Sequence, residues 1–342
     1  MISFECDYNN GAHPQVLQRL VETNNEQTLT YGFDKYSESA KEKIRQACDN
    51  QQAQVFFLTG GTQTNATVID GALQSYEAVI TVESGHINIH EAGAIEMCGH
   101  RVIALKGEDG KLKADELKDY MQWFESDESR DHLAQPGMVY ISFPTELGTI
   151  YTSKEIAAIY DVCREFHLQL FVDGARMGYG LAATDGDITL PWLSRHCDVF
   201  YIGGTKVGAL CGEAVVFTHQ NAPQRFFSIM KRHGAVLAKG RLTGIQFDAL
   251  FTDSLYFDIS AHAIKMARRL KQILSAKGFP FFINSPTNQQ FVIIDNETVG
   301  QLEQQVLFTH WGPFDESHTI CRFVTSWATT EEELDKLEDI LA

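Results

Sequence analysis

Seven short apolar runs recur through the first two thirds of the chain: Val55–Leu58, Ala78–Val82, Arg101–Leu105, Met138–Phe143, Leu168–Val172, Asp198–Ile202 and Ala214–Phe217. Most are near-continuous rather than alternating, which marks strands buried on both faces. Helical stretches stand between them at Ala66–Ser75, Asp115–Phe124 and Ser153–Phe166. This alternation predicts an α/β fold with a mostly parallel central sheet covered by helices on both sides.

The pattern changes from about Ser254. A long helix over Ser260–Lys277, with Ala261, Ile264, Ala267, Leu270 and Leu274 near helical spacing, leads to strands at Phe281–Ile283, Phe291–Asp295 and Ile320–Thr325. Helices are expected at Val299–Phe308 and Thr330–Leu341. At 342 residues the chain is long enough for two domains. The expectation is a large α/β domain over 1–253 and a small C-terminal α+β domain over 254–342. The first residues form an arm that packs on the small domain or lies near the site.

A formal charge of -17 argues against nucleic acid or an anionic membrane surface as partner. The seven cysteines are odd in number and contain no CxxC pair, which fits reduced thiols in the cytoplasm better than a disulfide framework or a thiolate metal site. The start reads as no signal peptide, and the apolar runs are too short to span a bilayer.

Two strand ends carry the chemistry. Phe171-Val172-Asp173-Gly174-Ala175-Arg176 ends in an acid, and Tyr201-Ile202-Gly203-Gly204-Thr205-Lys206-Val207-Gly208-Ala209 ends in a lysine. Ligands bind at the carboxyl ends of strands in α/β sheets. An aspartate and a lysine there are what pyridoxal phosphate requires. The amine forms a Schiff base with the aldehyde, and the carboxylate keeps the pyridine nitrogen protonated so that the ring withdraws electrons. Lys206 sits in a glycine-rich loop, which is poor packing material and disfavours a structural role.

Val55-Phe56-Phe57-Leu58-Thr59-Gly60-Gly61-Thr62 reads as strand, glycine turn and helix start, where backbone amides and the helix dipole hold a phosphate. Gly61 and Thr62 are the candidates. No GxGxxG or GxxxxGK[ST] is present, so dinucleotide and P-loop readings lose support. His86 follows the strand Ala78–Val82 and is placed to stack on the cofactor ring and move a proton. His86 and His90 with Glu91 invite a metal reading, but no third ligand stands at a sensible spacing, and none is assigned.

Taken in order, Gly11-Ala12-His13-Pro14, Tyr31-Gly32-Phe33-Asp34, Gly60-Gly61-Thr62-Gln63-Thr64-Asn65, His86-Ile87 with Glu91-Ala92-Gly93, Asp173-Gly174-Ala175-Arg176, Thr205-Lys206, Gly240-Arg241 and Arg322-Phe323-Val324-Thr325 run over nearly the whole chain. Together they resemble the threonine aldolase and β-eliminating lyase group of pyridoxal-phosphate enzymes, which have the fold-type I, aspartate aminotransferase-like architecture. The resemblance implies Lys206 as the Schiff-base lysine, Asp173 as partner of the pyridine nitrogen and His86 as the stacking ring. It implies Thr205 beside the cofactor, Arg176 near the cofactor hydroxyl and the substrate carboxylate, and Arg322 as a second carboxylate anchor. Arg241 would reach the phosphate of a neighbouring subunit, and Tyr31 would line the substrate side. A homodimer or homotetramer is implied. The guanidinium fork is the natural partner of an amino-acid carboxylate, which agrees with these arginines.

The chain departs from the group at two places. Cys6 stands where a serine usually meets the substrate carboxylate, and a thiol is a weak donor. Glu146 stands where a second histidine usually holds the β-hydroxyl, although a carboxylate accepts a hydroxyl proton too. The implied reaction is retro-aldol cleavage of L-threonine or L-allo-threonine to glycine and an aldehyde. The alternatives are β-elimination or transamination of a related small amino acid, and a binding module that keeps the fold without catalysis.

Overall fold

The computed structural model describes residues 1–341. A seven-stranded sheet forms the centre. Its spatial order is Gln54–Leu58, Glu213–Phe217, Val199–Gly203, Gln169–Asp173, Gln135–Ser142, Glu77–Val82 and Arg101–Leu105. Neighbours run parallel except at Glu213–Phe217, which is antiparallel to the strands on both sides of it. That strand is joined to Val199–Gly203 by the short loop carrying Lys206 rather than by a helix.

The near-continuous apolar runs are explained by cores on both faces. Val139, Ile141, Val172, Phe200, Ile202 and Val216 enter one core. Met138, Tyr140, Phe171, Val199, Tyr201 and Val215 enter the other. The period-2 alternation of a strand thus puts Tyr140, Tyr201, Asp173 and Glu213 toward the second face.

A four-stranded antiparallel sheet, ordered Thr309–Pro313, His318–Val324, Gln289–Asp295 and Phe281–Ile283, builds the C-terminal part. The helix Leu255–Ala276 joins the two parts. Tyr256, Ile259, Ala263 and Ile264 enter the large core, whereas Met266, Leu270, Ile273 and Leu274 enter the small one. Phe4 of the N-terminal arm belongs to that small core.

Several expectations are corrected. The helix placed at Val299–Phe308 spans only Asn296–Leu302. Val306–Leu307 instead pairs in parallel with Ile2–Ser3, a partner almost the whole chain away that local periodicity does not register. The helix expected at Ala66–Ser75 begins at Gly61, which makes Gly61 part of a helix N-terminus. Helices Pro14–Glu22, Lys35–Ala47 and Arg241–Leu250 and the strand Thr309–Pro313 were not anticipated. Among the described residues no helix is long and apolar enough to cross a membrane.

Candidate active site

Two glycines let the acid-bearing and lysine-bearing strand ends approach each other. A Cβ on Gly174 would lie 2.0 Å from the Tyr201 carbonyl oxygen, and one on Gly203 would lie 2.2 Å from that of Ala175. Gly203 N–H donates to Gly174 O across the gap at 2.9 Å. Only hydrogen fits there, so this seam draws Asp173 and the Lys206 loop onto one cavity.

That cavity, about 150 Å³, is walled by Gly60, Gly61, His86, Glu146, Asp173, Arg176, Thr205, Lys206 and Glu213, among others. The helix start at Gly61 has no side-chain cap, so its first-turn amides carry no capping side chain. Thr62 is exposed in that first turn, outside the wall.

Asp173 is buried and densely bonded. Oδ2 accepts from the Tyr140 hydroxyl and from Asn65 Nδ2 at 3.0 Å, and Oδ1 accepts from Ala175 N–H at 2.9 Å. Burial alone would raise its pKa. The charge on His86, the Tyr140 and Tyr201 hydroxyls and the Ala175 amide more than offset that, and the carboxyl lies below its ordinary value. An anionic aspartate is therefore held in place without a salt-bridge partner consuming it.

His86 Nδ1 contacts Glu91 Oε1 at 2.8 Å, and Asn65 Nδ2 reaches the same oxygen at 2.7 Å. Asn65 thus links the histidine's partner to Asp173. Burial disfavours the imidazolium, but the Glu91 hydrogen bond and the charges of Asp173 and Glu91 raise the His86 pKa overall. Burial also raises Glu91, against the pull of His86 and Asn65. Glu146 is buried behind His86, and its Oε1 accepts from Ser142 Oγ at 2.6 Å and from His86 N–H at 3.0 Å. Its pKa is raised, chiefly by burial.

The Lys206 pKa is lowered, first by burial and then by Arg176. A depressed amine pKa increases the neutral, nucleophilic fraction. Tyr179 O–H donates to Lys206 O at 2.6 Å, and the Lys206 ammonium lies 5.7 Å from the Tyr8 ring centroid.

Arg176 is gripped by Asp7, Nε to Oδ2 at 2.7 Å and Nη2 to Oδ1 at 3.0 Å. Arg322 donates to Gln289 Oε1 and Thr309 Oγ1, both at 3.2 Å, and lies 5.1 Å from the Trp311 ring centroid. Its Nε is a buried donor without a partner among the described residues. Burial and then the charge of Arg176 lower its pKa, with Asp7 opposing them, so the two guanidinium groups lie within each other's field. Cys6 is half-buried beside Asp7, and burial raises its thiol pKa.

Cys6, Thr62 and Arg322 are not on the wall of this cavity, and Tyr31 and Arg241 are engaged elsewhere. Tyr31 is 41 % exposed and carries the Lys231 ammonium over its ring at 4.7 Å. It lines a separate cavity with Phe33, Phe56 and Phe227. Arg241 donates through Nη1 to Glu26 O at 2.6 Å and through Nη2 to Thr23 O. Neither residue lines the cavity of its own Lys206, although the helix Arg241–Leu250 packs on the Lys206 loop, with Leu210 N–H donating to Gln246 Oε1 at 2.7 Å.

Sequence reasoning missed Asn65, Tyr140, Tyr201 and Glu213, and gave Asp7 and Glu91 no role at the cofactor. The available signal was polar groups inside otherwise apolar strands, such as Glu213 at the head of Glu-Ala-Val-Val-Phe.

A helix N-terminus for a phosphate, a held carboxylate for a ring nitrogen and a buried amine between them fit pyridoxal phosphate. The molecule is a fold-type I pyridoxal-phosphate enzyme in class. Residues 9–307 match the family of β-eliminating lyases, and the chain belongs to that family. It is 27 % identical over 341 residues to a low specificity L-threonine aldolase of Pseudomonas aeruginosa, covering 98 % of this chain and 95 % of the relative. A threonine aldolase of Leishmania major superposes with a TM-score of 0.96 at 38 % identity, over 100 % of this chain and 98 % of that one. An aspartate aminotransferase of Thermus thermophilus, at 12 % identity and a TM-score of 0.71, covers 100 % of this chain and 91 % of its own and shares the fold alone.

Proposed function

We propose that this enzyme cleaves β-hydroxy-α-amino acids, L-threonine or L-allo-threonine, to glycine and an aldehyde. The observation that carries the reading is Arg176 on the wall of the Lys206 cavity with Arg322, which holds an unpartnered buried donor, near enough for the two guanidinium charges to interact. The likeness to threonine aldolases supports the choice of reaction.

Bound at this site, pyridoxal phosphate supplies an electron sink for a bond breaking at the substrate α-carbon. Lys206 Nζ is the nitrogen that would join the cofactor aldehyde. Asp173 would hold the ring nitrogen with its carboxylate, and Gly61 and Thr62 would offer amides to the phosphate, with Thr205 beside them. His86, on the wall of the cavity, would stack on the ring. Arg322 Nε and the free edge of Arg176 orient the substrate carboxylate, with Cys6 at the margin. His86 or Glu146 takes the β-hydroxyl proton, the two being bonded through the His86 backbone amide.

Arg241 and Tyr31 act in this reading across a subunit boundary, as parts of a homodimer or homotetramer. Leu29, Tyr31, Phe33 and Phe227 are exposed apolar side chains near these residues, suited to a second copy of the chain. We take residues 1–253 as the cofactor-binding domain and 254–342 as the domain that brings Arg322. A cytoplasmic setting accords with seven free thiols.

The test is a visible spectrum with product analysis on L-allo-threonine. A borohydride-sensitive band absent from Lys206→Ala, with acetaldehyde released, is expected. The band without acetaldehyde, but with keto acid and ammonia, would favour β-elimination, a reading that Glu146 in place of a histidine keeps open.

A further inference from the structure

Glu213 is out of place in its strand. The other four side chains of Glu213–Phe217 are apolar, and the strand is covered on both edges, with Leu58 and Gly203 opposite Glu213. A buried carboxylate is unfavourable unless hydrogen-bonded and matched by charge. Both oxygens are bonded. Oε1 accepts from Thr205 Oγ1 at 2.7 Å, and Oε2 accepts from Gly204 N–H at 3.0 Å. Thr205 Oγ1 in turn accepts from Gly212 N–H at 3.1 Å, and Gly204 N–H also reaches Gly212 O at 3.0 Å. One carboxylate therefore ties the two ends of the loop that presents Lys206.

A neutral amide keeps only part of this clamp: its one oxygen can accept from Gly204 N–H, while its NH2 must donate to Thr205 Oγ1, so the bond to Thr205 is reversed and the charge is lost. Glu213 and Lys206 wall the same cavity. The charged groups around Glu213 are Lys206 and Asp173, with Arg176, His86 and Glu146 on the cavity wall and the Tyr201 and Tyr256 hydroxyls on the packed elements. Burial pushes Glu213 up to about 7, with Lys206 pulling it down and Asp173 pushing it up. Lys206 is lowered by burial and Arg176 and raised by Asp7, Asp173 and Glu213. Each group is thus drawn toward its neutral form.

We propose that Glu213 is a positioning residue for Lys206: it clamps the turn that presents the lysine and is the counter-charge of the lysine amine whenever that amine is free in the cavity. The inference rests on Lys206 being the cofactor lysine. A free amine in a closed cavity starts as an ammonium and must lose a proton before the nitrogen attacks a carbonyl carbon. Transfer of that proton to the Glu213 carboxylate leaves a neutral amine and a neutral acid, with no change in net charge.

The test reads Lys206 directly. The full-length chain, stripped of cofactor, is labelled with trace acetic anhydride from pH 6 to 10, and acetylation of the Lys206 peptide is followed by mass spectrometry. Glu213→Gln keeps the shape and one accepting oxygen for Gly204 N–H but removes the charge. Its Lys206 midpoint is expected to fall by about one pH unit, a roughly tenfold rise in neutral amine at pH below the midpoint. Thr205→Val removes a hydrogen bond that stabilises the carboxylate, and its midpoint is expected to fall as well, which provides a reading if Glu213→Gln does not fold. An unmoved Lys206 midpoint in a folded variant overturns the proposal. Borohydride trapping on the Lys206 peptide of the wild-type holoenzyme checks the cofactor lysine separately, so failure there is distinguishable from failure of Glu213.

Discussion

Asp7 and Arg176 form a two-pronged ion pair that ties the N-terminal arm to the strand end bearing Asp173. Asn288 Nδ2 adds a 2.9 Å bond to Asp7 Oδ2, drawing the C-terminal part into the same knot. Removing one member of a buried pair leaves the other charged and uncompensated, which costs about 3–5 kcal/mol. Arg176→Ala is expected to lose that much unfolding free energy in urea. Arg176→Lys keeps the charge without the fork, and should raise KM for the amino acid more than it lowers kcat. Wild-type stability in Arg176→Ala would refute this account of the knot.

Acid stability should report on Asp7. Burial would raise its pKa, but Arg176 and Lys206 hold it below the ordinary carboxylate value. A depressed folded pKa contributes stability that is present above the unfolded value and is lost as pH falls through the folded one. Asp7→Asn is therefore expected to be less stable at neutral pH and to show a shallower loss of stability on acidification. Parallel acid-unfolding curves for the two proteins would count against it.

Tyr140 and Asn65 both bond to Asp173 Oδ2. Tyr140→Phe removes one donor from a buried carboxylate, with an expected loss of about 1–3 kcal/mol. Without that donor the Asp173 pKa rises, so the protonation of the bound cofactor ring should shift in a pH titration of its visible band. A band that titrates as in wild type would exclude Tyr140 from this role.

The pH dependence of catalysis should follow His86. Its pKa lies above the ordinary histidine value, with burial opposed by the Glu91 hydrogen bond and the charges of Asp173 and Glu91. As a base it must be neutral, so kcat/KM is expected to rise with pH through a midpoint above about 6.5. Glu91→Gln removes a group that stabilises the imidazolium, and the midpoint should move to lower pH. His86→Asn should lower turnover by about 10²–10⁴-fold. A profile unchanged in Glu91→Gln would remove Glu91 from the proton path.

His90 stands at the edge of the site, its ring 5.5 Å from that of His86 and 6.0 Å from that of Trp311, the ring under Arg322. Burial, then His86, Arg322 and Lys206, lower its pKa, leaving a neutral ring able to accept a hydrogen bond. Taken as a second acceptor for the substrate hydroxyl beside His86, His90 predicts that His90→Phe reduces kcat/KM for threonine by about tenfold, near the worth of one hydrogen bond, with the cofactor band unaltered. Equal kinetics in the two proteins would show that no substrate hydroxyl reaches His90.

Residue type and local order were enough to place the buried strands, the acid and the lysine. A run such as Val199–Gly203 excludes water on both faces, and a charge at its end has only the strand-end crevice to occupy. The Gly61 turn and the His86 position were legible for the same reason. Asn65, Tyr140 and Glu213 were not: helix-on-sheet packing brings Asn65 to Asp173, pairing of neighbouring strands brings Tyr140 to Asp173, and the fold of the 204–212 loop brings Thr205 to Glu213. The parallel pairing of Ile2–Ser3 with Val306–Leu307 overrode a helical pattern for the same physical reason: backbone groups bond to whichever partner packing brings near. Tertiary structure likewise decided that Tyr31 and Arg241 stand off the wall of their own lysine's cavity, Tyr31 lining another cavity and Arg241 bonding to Glu26 O and Thr23 O. The sequence by itself determined which groups could do the chemistry, and the close approach of the chain at Gly174 and Gly203 decided which of them meet.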